Sequence, residues 1–61
     1  MNGVISFPRA MALAVRAAKA VRLGLSVEDA LDSALSGEGL SEASRARVAE
    51  LLDRIAGRDS T

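Results

Sequence analysis

The chain changes rhythm after its first few residues. Gly3 to Arg9 reads GVISFPR, with Val4, Ile5 and Phe7 set around Ser6 and stopped by Pro8. β-Branched and aromatic residues suit a pleated, half-buried surface, and the residue before a proline is pushed toward extended geometry. A short N-terminal β-strand is therefore expected. From Pro8 onward the period becomes helical, in PRAMALAVRAAKAVRL, with many alanines and no internal glycine. At 100° per residue, Phe7, Met11, Ala14, Ala18 and Val21 share one face while Arg9, Arg16 and Lys19 lie roughly opposite. Leu13 and Val15 widen the apolar sector beyond that of an ordinary surface helix, which points to burial on several sides.

Gly24 stands where a left-handed residue ends a helix. Ser26 is then a good N-cap, with Glu28 and Asp29 in the first turn of a second helix. Val27, Ala30, Leu31, Ala34 and Leu35 follow the i, i+3, i+4, i+7, i+8 pattern. Ser36-Gly37-Glu38-Gly39 breaks the chain, and Ser41 starts a third helix that carries Val48, Leu51, Leu52 and Ile55 on one face and stops at Gly57. Arg58 to Thr61 reads as a polar tail. The expected fold is mainly α: one small domain over residues 1–57, a strand followed by three helices.

Length changes the picture. At 61 residues the chain buries only about 60% of its unfolded surface and needs a staple. With neither cysteine nor histidine, disulfides and the usual zinc ligands are excluded. Association remains. A lone strand also leaves its ladder groups unpaired, so its mate is expected in a second copy, giving a homodimer or higher oligomer.

Formal net charge is zero, which weighs against indiscriminate polyanion binding. The charges are nonetheless segregated. Residues 1–25 hold Arg9, Arg16, Lys19 and Arg22 without an acid, and residues 26–40 hold Glu28, Asp29, Asp32 and Glu38 without a base. The basic ridge reads equally as a phosphate-binding edge or as a solvated helix side. The acids read as helix-terminus carboxylates rather than a magnesium or catalytic pair, and no nucleophile–base pair can be assembled. No enzyme, metal or cofactor is expected. The apolar run Ala10 to Val15 is too short for a signal peptide or a membrane span. A cytoplasmic protein without membrane contact is expected.

In order and spacing these elements resemble the ribbon–helix–helix repressors and antitoxins over roughly residues 2–36. Phe7-Pro8 matches the strand end of that family, Gly24-Leu25-Ser26 its interhelical linker, and Ser26, Asp29, Leu31, Ala34 and Leu35 the pattern of its second helix. The resemblance implies an intertwined homodimer whose paired strands enter the DNA major groove. It implies a DNA-binding transcriptional regulator or antitoxin, with Asn2, Val4 and Ser6 as base readers and Arg9 and Ser26 as phosphate contacts. Ile5, Phe7, Met11, Val15, Leu31 and Leu35 would form the dimer core. The additional helix, with Val48, Leu51, Leu52 and Ile55, would grip a protein partner. The alternative is an all-helical, homo-oligomeric protein–protein interaction module, a phage or plasmid accessory or adaptor protein that binds no DNA.

Overall fold

The computed structural model describes residues 4–59 and consists of three α-helices: α1 (Phe7–Arg22), α2 (Val27–Leu35) and α3 (Glu42–Asp59). Among the described residues there is no β-strand, so the expected N-terminal strand, and with it the ribbon–helix–helix fold, is corrected to an all-helical fold. The reason lies in what residues 4–6 touch. The backbone N–H of Ile5 donates to Ser44 Oγ at 2.9 Å, across 39 residues of sequence, and the Ile5 side chain packs against the core. Ser6 is extended (φ −66°, ψ 154°) but acts as the N-cap of α1, its carbonyl accepting from Ala10 N–H at 2.9 Å. Pro8, in the first helical turn, has φ already suited to the helix and no N–H to lose there. Helix thus begins at Phe7, and the extended stretch finds its partner in its own α3.

The end of α1 follows its sequence closely. Gly24 has φ +112°, Leu25 N–H donates to Ala20 carbonyl at 3.1 Å and Gly24 N–H to Val21 carbonyl at 3.0 Å. This paired closure is a Schellman motif, which needs a residue free to take positive φ after the helix. Ser26 then caps α2 by accepting from Asp29 N–H at 3.2 Å, beside the first-turn acids Glu28 and Asp29. Ser41 Oγ accepts from Ser44 N–H at 3.2 Å at the head of α3. At its far end α3 runs through Gly57 to Asp59. The expected stop at Gly57 is corrected: an interior glycine weakens a helix by about 0.5–1 kcal/mol but does not end it.

The helix α1 is the hub, packing against both α2 and α3, while α2 and α3 barely meet. The core comprises Ala10, Leu13, Ala14 and Ala17 of α1, Ala30, Ala34 and Leu35 of α2, and Val48, Leu51 and Leu52 of α3. Half of these residues are alanine, so the helices join in part through small side chains that let their axes approach, and Leu52 and Val48 are the largest fully buried side chains. Ser44, 3% exposed, is enclosed at one end with Oγ accepting from both Ile5 N–H and the Ser41 hydroxyl, the latter at 3.2 Å.

The buried face of α1 is rotated from the expected one by about 70° at 100° per residue. Ala10, Leu13, Ala14 and Ala17 are inside; Met11, Ala18 and Val21 are half-buried at its edge; Phe7 is 57% exposed. An apolar sector wide enough for two neighbours has been covered on one side and in the middle, and left open on the other.

Candidate functional site: an apolar seam between α1 and α3

That open side is the most distinctive surface of the fold. Leu51 and Ile55 border one hollow with Phe7 and Met11, and Ile55 and Ala56 border the next with Val15, Ala18 and Val21. Advancing along α1 therefore means advancing along α3, so the two helices run in the same sense. The hollows, about 490 Å³ and 420 Å³, share Ile55 and form a continuous seam. On α1 the stripe Phe7, Met11, Val15, Ala18 repeats at i, i+4, i+8, i+11, the spacing of one helical ridge. Phe7 and the 42% exposed Val15 are large apolar residues left in water. The rim is cationic, with Lys19 and Arg22 at one hollow and Arg54 at the other. No acidic side chain lines either hollow among the described residues. Glu50 reaches the rim residue Arg54 at 4.0 Å along α3.

Acids gather elsewhere. Asp29 and Asp32, with Ser33 and Ser36, line an open polar hollow beside Arg45, and Glu28 joins the same two aspartates in a neighbouring one. Arg45 reaches Asp32 at 3.4 Å. No group of three or more acids that could hold a metal ion occurs among the described residues. No described helix is long and apolar enough to cross a membrane. A chain of zero net charge thus folds into a basic seam on one side and an acidic α2 on another.

The residues singled out from sequence are distributed as follows. Asn2 lies outside the described residues. Val4 and Ser6 are exposed at the start of the chain but belong to no ribbon. Arg9 is ion-paired with Glu38, and Ser26 Oγ is engaged in capping α2. Of the six residues assigned to a dimer core, Leu35 is buried within the chain and Ile5 and Leu31 are half-buried against its core. Phe7, Met11 and Val15 lie together on the open seam. Of the four assigned to partner binding on α3, Val48 and Leu52 are fully buried beneath α1 and Leu51 nearly so, leaving Ile55 as the one that links both hollows. Sequence reasoning did not identify Lys19, Arg22 and Arg54 as a common rim. Their shared position depends on how α1 and α3 are set side by side. Only the i, i+3 step from Lys19 to Arg22 could have signalled it.

Compared with protein-family models, curated proteins and solved structures, the chain matches none, and nothing in the comparisons shows a ribbon–helix–helix family.

Proposed function

We propose that this protein is an all-helical protein–protein interaction module that docks another polypeptide helix along the α1–α3 seam. The observation that carries this reading is the seam itself, in which the exposed Phe7 and Val15 and the half-buried Met11 and Ala18 lie beside Leu51 and Ile55. Small folded domains seldom leave a contiguous apolar strip uncovered unless something binds there. A groove between two helices suits a third, whose apolar side enters as anchors at helical spacing. The charged residues add little toward nucleic acid. Arg9, Arg45 and Arg54 have carboxylate partners, and the floor of the seam offers no hydrogen-bond donor to a phosphate.

Selection of helical peptides from a random library against the whole chain tests this. Enriched peptides should carry an i, i+3/i+4, i+7 apolar stripe and lose binding to Val15→Asp, which should melt like the parent chain. The reading falls if no peptide is enriched, or if enriched peptides ignore Val15→Asp, provided the chain also sediments as a monomer.

A further inference from the structure

We infer that the helix received by the seam is α1 of a second copy of this chain, lying antiparallel to the first α1 about a twofold axis. This rests on the docking reading above and names the occupant. The stripe Phe7, Met11, Val15, Ala18 is bulky at its start and small at its end. A twofold contact is self-complementary: residue i of one copy meets residue j of the other, and j meets i. Reversing the stripe on itself sets Phe7 against Ala18 and Met11 against Val15, in register to within about one residue. Each larger side chain then faces a smaller one, which lets two helix surfaces interdigitate without voids. A parallel pairing would stack Phe7 on Phe7 and leave Ala18 facing Ala18 across a gap.

The other wall of the groove suits the same visitor. Ile55 of α3 borders both hollows, which places it beside the midpoint of the stripe, near the twofold axis. Each α1 would lie between the α1 and α3 of its counterpart, and the four helices would close over Phe7 and Val15. The rim charges do not oppose this. Arg54 reaches Glu50 at 4.0 Å, and Arg22 has an interaction of its own. Arg9 and Arg16 lie about 150° around α1 from the middle of the stripe, clear of the contact. The contact is nonetheless modest, because Met11 and Ala18 are half-buried already. It falls short of the roughly 800 Å² per partner of a lasting dimer. The pairing is accordingly transient: copies are separate at the low micromolar concentrations of an unfolding experiment and paired at near-millimolar concentration.

Two measurements on the full chain test this. Phe7 is the sole aromatic residue, so its ring protons give isolated NMR signals. Within one α1 the ring stands about 16 Å from Ala18 along the axis, at 1.5 Å per residue, outside the reach of a nuclear Overhauser contact. At near-millimolar concentration a contact between the Phe7 ring and the Ala18 methyl should appear, persist in an isotope-filtered mixture of labelled and unlabelled chains, and fade on dilution. Sedimentation equilibrium should show the mass rising from one chain toward two over the same range, and Val15→Asp should abolish that rise. Should Val15→Asp fail to fold, the Phe7–Ala18 contact of the parent chain still decides. A dimer without that contact, or one untouched by a folded Val15→Asp, would overturn the antiparallel α1 assignment. A chain that stays monomeric yet binds library-selected helical peptides through Val15 would overturn the second copy and leave the docking reading standing. A monomeric chain that binds no such peptide would overturn the two readings together.

Discussion

Ser44→Ala tests the contact that replaces the expected strand. The substitution removes the oxygen that accepts from Ile5 N–H at 2.9 Å and from the Ser41 hydroxyl at 3.2 Å. Leaving a buried donor without a partner costs about 1–3 kcal/mol, and the lower half of that range applies because Ile5 is only half-buried. Alanine at a helical position returns roughly 0.5 kcal/mol through its better propensity. The cap itself is retained, since Ser44 N–H still donates to Ser41 Oγ. The net destabilisation is therefore about 1 kcal/mol. For a chain of this size the unfolding entropy is roughly 2.1 cal/mol/K per residue, so the melting temperature should fall by about 8 °C. Thermal unfolding followed at 222 nm measures this, with Ser33→Ala on the exposed side of α2 as a control expected to change little. Amide hydrogen exchange adds a residue-specific readout, as protection at Ile5 should be lost selectively. The reasoning is refuted if the variant melts with the parent and Ile5 stays protected. Protection that rises with protein concentration would show the amide to be paired between molecules.

Two further outcomes follow from the packing. Leu52→Ala empties a fully buried position and should cost about 2–5 kcal/mol, enough to leave much of so small a domain unfolded in a urea titration. Phe7→Ala, at an exposed seam position, should change the same midpoint by less than about 1 kcal/mol. Gly24→Ala must hold φ near +112° and should cost roughly 1–2 kcal/mol. Open space around the glycine means that backbone strain alone accounts for the loss, and circular dichroism melting would register it.

Local chemistry made the helices and their punctuation legible. Gly24, Ser26 and Ser41 act through neighbours within a few residues, so a linear reading could place all three. That residues 4–6 form no strand was not legible, because the Ile5 N–H is satisfied by a hydroxyl 39 positions away. β-Branched residues signal an extended, half-buried backbone equally well whether its partner is a strand or one serine on a helix. Gly57 misled for a related reason: glycine permits a stop without requiring one, and α3 continues past it. The rotated core face of α1 shows a further limit. A helix apolar over most of its circumference does not state which sector its neighbours will cover, so Phe7 and Met11 read as interior when the fold leaves them at an open edge. The stripe that forms the seam was visible as a pattern; only the placement of α3 turned it into a surface.

A three-helix domain of only 61 residues melts gradually. With an unfolding enthalpy of about 0.7 kcal/mol per residue, the chain reaches only some 40 kcal/mol, and its transition spreads over roughly 20 °C. Warming toward the midpoint therefore creates a graded mixture of native and denatured chains well before half have lost structure. Any compound that engages solely the native form draws on that mixture and displaces the whole curve upward by mass action. The shallowness of the profile makes this protein a sensitive calorimetric reporter of whatever occupies it.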